Sequence, residues 1–349
     1  MKIAFDCERM KYPHTGLFEY CRQLGLALKA TSDPADKVTY YIRKGDKQFF
    51  SNEDTFLEQH TLHKFIFPWY KNLDLWHITH QTSMYVPLSR KIKKVMTIHD
   101  LNFLYEEKSE NKRRNLLKKH QRNIDRVDHI VAISEFTKQD ILRNLEVGNK
   151  PVTVIYNGCT EEEFPNAEKP AYIPSSPFLL GLGTVNPKKN FHVLIPLLVN
   201  NNYELIIAGN NDTNYKDKIM SEADRYQVTD RVKIIGSVSD QDKSWYLKNC
   251  EAFLFPSIAE GFGIPPIEAM RFGKPTFLSN STSLPEIGGT AAYYFNDYEP
   301  ASMQKVFTDG MNDYLQRKPA AEIIRHAQQF NWENSARAYW EVYKSTLNG

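Results

Sequence analysis

PSIAEGFGIPPIEAMRFGKP, residues 256–275, is the stretch on which the reading of the fold turns. The apolar and aromatic run before it, residues 250–255, reads as a short buried strand, and the glycines and prolines that follow force a turn into a helix. Pro265 and Pro266 suit the first helical positions, where a missing N–H costs little, and Gly273 with Pro275 supplies the stop. The amides of Phe262, Gly263 and Ile264, with Gly261 just ahead, then sit at the positive end of a helix dipole, a place for phosphate oxygens. Glu260 falls in the loop and Glu268 on the helix, eight residues apart. A carboxylate at each position accepts hydrogen bonds from hydroxyls, as a sugar and a ribose require, while the amides between them hold a diphosphate. Read singly, either glutamate is more often a solvated surface residue; the ordered string as a whole favours a sugar-nucleotide site.

Outward from this stretch, short apolar runs alternate with amphipathic ones from end to end, the pattern of βα units and parallel sheets. Strands are expected at 2–5, 38–42, 75–79, 94–98, 129–132 and 152–155, and helices at 16–30, 112–127 and 135–145, the last capped by Ser134. Residues 156–177 break the rhythm with Asn157-Gly158, the acidic run of Glu161, Glu162 and Glu163, and four prolines, and read as a linker. A second series follows, with strands near 178–183, 203–208, 232–236, 252–255, 276–278 and 291–295, and the stretch 178–190 reads strand, turn, helix. The fold class is therefore α/β, two doubly wound parallel-sheet domains facing a cleft, as 349 residues would allow. The expected domains are 1–165 and 166–331, and the closing aromatic stripe of Trp332, Ala336, Tyr339, Trp340 and Tyr343 reads as packing.

A formal net charge of +2 argues against a nucleic-acid partner bound through a general positive field. No window approaches the roughly 18 apolar residues of a membrane span, and the start, MKIAFDCERMK, lacks the apolar run of a signal peptide. A cytoplasmic protein is expected. Cys7, Cys21, Cys159 and Cys250 form no C-x-x-C pair, so neither a zinc site nor a disulfide framework is indicated. An NAD-dependent dehydrogenase would also be doubly wound, but no G-x-G-x-x-G opens a helix after the first strand of either domain.

The string E-G-F-G-I-P-P-I-E-A-M resembles the E-x7-E signature of retaining glycosyltransferases of the GT-B fold, in particular family 4. Weaker resemblances, V-A-I-S-E-F-T from Val131 and V-I-Y-N-G from Val154 among them, extend over nearly the whole chain. The resemblance implies a terminal helix, 332–349, that returns to the first domain. It also implies a nucleotide-sugar donor bound by the second domain and a saccharide or lipid-linked saccharide acceptor bound by the first. G-T-V-N-P-K-K-N, from Gly183, is similar to the family's G-T-x-x-P-R-K-N, whose lysine contacts the donor phosphates; Lys189 takes that role here. Lys188 stands where many members have arginine, and Thr184 where others have a phosphate-binding arginine. Val238, within I-I-G-S-V-S-D, falls where the family bonds the base through main-chain atoms, and Glu286 reads as structural.

T-I-H-D-L resembles a segment of a subset, often mannosyltransferases, in which the histidine approaches the transferred sugar; this points to His99. Residues 11–16 correspond to the family's glycine-rich loop, of which Gly16 alone remains. The resemblance implies transfer of a hexose with retention, from GDP-mannose as first choice or a UDP-sugar, in surface polysaccharide or glycolipid synthesis, with no bound cofactor or metal. Glu268 would hold the ribose, Glu260 the sugar and Lys189 the diphosphate, with His99 completing the catalytic set on domain closure. A silent sugar- or nucleotide-binding protein of the same fold is the alternative. The runs 90–94 and 112–126 are rich in Lys and Arg, with Leu116, Leu117, Ile124 and Val127 spaced for one helical face. They read as a solvated surface or as a face resting peripherally on anionic membrane.

Overall fold

The computed structural model describes residues 1–13, 15–66, 72–89, 91–160, 169–211 and 213–349. They divide into two compact units, Met1–Thr160 with Phe330–Gly349, and Glu161–Gln329. The expected boundary near residue 165, the acidic part of the linker, His14 and Arg90 lie outside the described residues.

The first unit is built on β1 (Lys2–Asp6), β2 (Lys37–Ile42), β3 (Thr55–Glu58), β4 (Leu75–Ile78), β5 (Lys93–Ile98), β6 (His129–Ala132) and β7 (Val152–Val154), all parallel, in the order β3-β2-β1-β4-β5-β6-β7. Its described helices are α1 (Gly16–Ala30), α2 (Glu110–Ile124) and α3 (Glu135–Asn144). Thr15 caps α1 through the Phe18 amide at 3.2 Å, and Ser134 caps α3 through the Thr137 amide at 3.0 Å. The inner strands are buried almost throughout, which is why they read as continuous apolar runs. β3 escaped the sequence reading because it is a four-residue edge strand, half-buried along its length.

The second unit contains β8 (Phe178–Leu182), β9 (Glu204–Ala208), β10 (Val232–Gly236), β11 (Ala252–Phe255), β12 (Thr276–Ser279) and β13 (Tyr293–Phe295), again parallel, in the order β10-β9-β8-β11-β12-β13. Around them lie α4 (Thr213–Arg225), α5 (Asp240–Asn249), α6 (Ile264–Arg271), α7 (Leu284–Gly288), α8 (Pro300–Arg317) and α9 (Ala320–Ala327). After β8 the chain forms two 3-10 segments, Pro187–Lys189 and Phe191–Leu198, where an α-helix was expected. Asn190 in the left-handed region (φ 58°) separates them, and Pro196 denies the second a helical hydrogen bond.

The chain closes with α10 (Trp332–Asn348), which packs on the first unit beside α1. Trp340 Nε1 donates to the Leu28 carbonyl at 3.2 Å, and Tyr20 and Tyr339 share a 2.8 Å hydroxyl bond. Burying each such aromatic is worth roughly 2 kcal/mol. One sheet face is thus covered by α1 and α10. On the other, the apolar side of α2 turns inward: Ile124 and Val127 are buried, with Leu116 and Leu117 packed against the same core. The apolar stripe of α2 is therefore core, and only the charged side of this helix is available to a partner.

Candidate active site

In an open parallel sheet, ligands gather where the strand order reverses, outside the carboxyl ends of the two strands concerned. In the second unit that point lies between β8 and β11. The turn after β8 carries Lys188 and Lys189, and the loop after β11 carries Glu260. The main chain laces the two together: the Ile258 amide donates to the Lys188 carbonyl at 2.9 Å, and Ser257 Oγ lies 3.2 Å from the same oxygen. Asn186 caps the lysine turn by accepting from the Lys189 amide at 3.2 Å.

Lys189 Nζ consequently donates to Glu260 Oε1 at 2.6 Å and lies 4.3 Å from the centroid of the Phe255 ring. The two side chains are only 12% and 13% exposed, so solvent screens the pair weakly. Ser257 Oγ donates to the same Glu260 oxygen at 2.5 Å, and Oε2 carries neither bond. Burial alone would raise the Glu260 carboxyl, but the charges of Lys189 and Lys188 and the bonds from Lys189 and Ser257 outweigh it and hold the group below its usual range. For Lys189 the balance falls the other way. Burial draws the ammonium below the usual lysine range against the pull of Glu260, and Lys188 adds to the fall.

The loop backbone is held independently of the charges. The Glu260 amide donates to Thr282 Oγ1 at 2.9 Å, while the Ser283 hydroxyl shares its one proton between the carbonyls of Glu260 and Phe262, at 2.9 and 2.8 Å. Gly263, at φ 120°, precedes α6; a side chain there would be strained and its Cβ would come within 2.9 Å of Leu284. Pro265 and Pro266 bring no N–H to the helix start, so Gly263 and Ile264 supply the amides at this end. Gly261 and Phe262 are buried in the same loop. Glu268, one turn into α6, accepts from Lys243 Nζ of α5 at 2.8 Å. Burial opposes the charge on Lys243, yet Glu268 and Asp240 raise its pKa well above the ordinary value. Thr184 is exposed beyond the end of β8, and Val238, beyond β10, is half-buried against the core of this unit. An Asp-x-Asp string, Asp240-Gln241-Asp242, is present, but it forms the first turn of α5, with Asp240 3.2 Å from Lys243.

The first unit has its own reversal, between β1 and β4, and the groups there escaped the sequence reading. Asp6 accepts from the Glu8 amide at 2.9 Å and from Ser83 Oγ at 3.0 Å. Arg9 Nη2 donates to His80 Nδ1 at 3.0 Å and to Thr82 Oγ1 at 2.5 Å. Burial, reinforced by Glu8, pushes the Asp6 carboxyl up to about 8. The only signal in sequence was the charged run Asp6-Cys-Glu-Arg-Met-Lys11 directly after a strand. Gly16 opens α1 nearby in sequence, and a Cβ there would meet nothing within 4 Å, so protein packing does not demand this glycine.

His99 follows β5 and is buried between Tyr20, in edge contact at 4.6 Å, and His80, stacked at 5.5 Å. Its Nε2 donates to the Thr79 carbonyl at 2.8 Å, which leaves Nδ1 as the acceptor of a neutral ring. Burial lowers its pKa to about 4, so the imidazole is uncharged at neutral pH. The structure thus brings Lys188, Lys189 and Glu260 together in one unit, joins Glu268 to Lys243 in the same unit, and sets His99 and Gly16 in the other.

Comparison with known proteins identifies the class to which these two parallel-sheet units belong. Residues 27–163 match the family model for Glycosyltransferase Family 4 and residues 164–330 that for Glycosyl transferases group 1. The chain belongs to the glycosyltransferases of family 4 and has the GT-B fold. O-antigen chain mannosyltransferase B of Escherichia coli is 25% identical, the match covering 99% of this chain and all of that protein. Serotype-specific mannosyltransferase WbdA of Escherichia coli is 29% identical over 240 residues, 64% of this chain but 29% of WbdA, so the match spans less than a third of that relative. Sucrose-phosphate synthase of Thermosynechococcus elongatus superposes with a TM-score of 0.76 at 17% identity, over 99% of this chain and 98% of its own.

Proposed function

We propose that the chain is a retaining hexosyltransferase that moves mannose from GDP-mannose to a hydroxyl of a saccharide or lipid-linked saccharide, in the synthesis of a surface polysaccharide or glycolipid. The Lys189–Glu260 pair at the reversal point of the second sheet carries this reading. A buried lysine whose charge is only partly balanced suits a diphosphate. The ammonium of Lys189 stabilises the leaving phosphate as the anomeric bond breaks. Glu260 keeps Oε2 for the hydroxyls of the transferred sugar, Glu268 takes the ribose, and the amides of Gly263 and Ile264 take phosphate oxygens at the start of α6. Lys188, Thr184 and Val238 border this donor site. The second unit is accordingly the nucleotide-sugar-binding domain and the first the acceptor-binding domain. His99, uncharged, serves as a hydrogen-bond acceptor for a sugar hydroxyl. Same-face attack, with the departing phosphate taking the acceptor proton, accounts for retention. The choice of mannose is supported by the names of the relatives and by the T-I-H-D-L segment.

Thermal shift with GDP, UDP, ADP and their sugars tests the donor, because a ligand that binds only the folded state raises the midpoint by mass action. GDP-mannose should give the largest rise, accompanied by slow donor hydrolysis. A larger rise with a UDP-sugar would overturn the donor assignment, and no turnover of any nucleotide sugar would leave a silent binding protein.

A further inference from the structure

The face of the first unit that carries α2 and α3 is closed elsewhere by irregular chain, and that chain exposes large apolar groups. Leu62, Phe65 and Ile66, in and after the 3-10 segment Thr61–Lys64, and Leu88 are each at least 71% exposed, and Met84 is 51% exposed. Large apolar side chains gathered on one surface mark a contact site, whereas scattered ones need no explanation. Here they belong to one continuous piece of structure. Lys64 Nζ of the first segment lies 5.8 Å from the centroid of the Tyr85 ring of the second, and His63 Nδ1 bonds the Tyr41 hydroxyl of β2 at 2.8 Å, which fixes the first segment to the sheet. The second is tied in turn to α2 and the turn after it. Asn123 Nδ2 donates to the carbonyls of Gln81 and Ser83 at 2.9 and 3.1 Å, and Arg126 donates to that of Val86 at 2.8 Å.

Along α2 the exposed side chains are mostly cationic, with Asn111 and Asn115 neutral among them. Lys112, Arg114, Lys118, Lys119 and Arg122 are exposed, against Glu110 at the helix start. Apolar loop tips bound to a cationic helix form a two-part surface: side chains that enter the acyl boundary, and charges that meet anionic headgroups. We infer that this face of the first unit docks on an anionic lipid bilayer, the loops 62–66 and 84–88 inserting and the outer side of α2 resting on the headgroups. A protein partner would need no such ring of one charge, and no described helix is long and apolar enough to cross a membrane. The division of labour differs from that of an amphipathic helix lying in the interface, because the apolar stripe of α2 is occupied by the core. The docking deepens the proposed function by bringing a lipid-linked acceptor to the surface of the acceptor-binding domain.

Co-sedimentation with vesicles of phosphatidylcholine alone, and of phosphatidylcholine with phosphatidylglycerol, tests the inference on the full chain. The protein should pellet with the anionic vesicles only. Phe65→Asp with Ile66→Asp, and separately Lys118→Glu with Lys119→Glu, should release it while leaving the melting temperature unchanged. Each cation lost near an anionic surface should lower partitioning about fivefold at low salt. A wild-type protein that stays in the supernatant would overturn the inference, as would variants that pellet equally well. So would a wild-type dimer that the same substitutions dissociate without any vesicle binding. Donor hydrolysis measured without vesicles reports separately on the enzymatic reading, so failure of one does not imply failure of the other.

Discussion

The two sheets reverse their strand order at equivalent places, yet the polar groups gathered there obey opposite electrostatics. At the reversal of the second sheet, Lys189 and Glu260 face each other as a weakly screened ion pair, with Lys243 and Glu268 on the neighbouring helices. In the first, Asp6 is pushed up to about 8 by burial and by Glu8, while burial lowers His99 to about 4. One edge holds charges ready for an anion; the other holds groups driven toward their neutral forms, suited to hydroxyls. Under the proposed function, the diphosphate of the donor would meet the first kind of edge and the hydroxyls of the acceptor the second. The physical lesson is that burial by itself disfavours charge, and charge survives where a counter-charge reaches the buried group.

The comparison is broken most directly at Lys189. Lys189→Ala should lower the transfer rate about 100- to 1000-fold, the range seen when one group that stabilises developing charge is removed. It also leaves Glu260 buried without its partner, a loss of about 3–5 kcal/mol in stability. Adding Glu260→Gln should recover much of that stability in chemical denaturation but none of the activity. If the single variant melts like wild type, the pair is not the anchor of this loop.

The first unit is tested through His77, which is buried under α10 with Nδ1 2.7 Å from the Tyr343 hydroxyl and Nε2 2.8 Å from Thr97 Oγ1. Its folded pKa lies below the unfolded value near 6.5, so the unfolded state binds the extra proton and stability falls as pH drops through that window. From pH 7 to 5 this group should cost about 2 kcal/mol. Asp6, raised in the folded state, contributes with the opposite sign over the same range, so the quantity to measure is the difference in pH slope between wild type and His77→Gln. Equal slopes would show that His77 does not titrate on unfolding.

Smaller effects sharpen the picture. Lys243→Met frees Glu268, and should raise the KM for the donor about threefold to tenfold with kcat nearly kept, since the lost contact serves ground and transition states alike. A fall in kcat at unchanged KM would place Glu268 in the chemistry instead. Tyr343→Phe removes a single buried hydroxyl from His77 and should cost about 1 kcal/mol by thermal melt, without altering donor binding.

Much of this architecture was legible beforehand. Burial on both faces turns inner parallel strands into apolar runs, and prolines and glycines mark where residues 256–275 turn into α6. What escaped has physical causes too. β3 is an edge strand with little apolar signal, and the helix expected after β8 became 3-10 chain because Pro196 and the left-handed Asn190 interrupt it. Asp6, Arg9 and His80 carried no motif, since what unites them is spatial: Arg9 and His80 meet at 3.0 Å across 71 residues of chain.

The same division holds at the donor site. Sequence alone determined that a lysine pair and Glu260 stand in turns beyond the ends of strands, with Glu268 on the helix that follows, because turn chemistry and hydrophobic runs are local. Which glutamate meets which lysine, and how far each departs from its ordinary pKa, depended on the packing of β8 beside β11 and of α5 beside α6. Lys189 and Glu260 lie 71 residues apart in the chain and 2.6 Å apart in space, and their charge states follow from that distance and from the burial around it, neither of which is encoded locally.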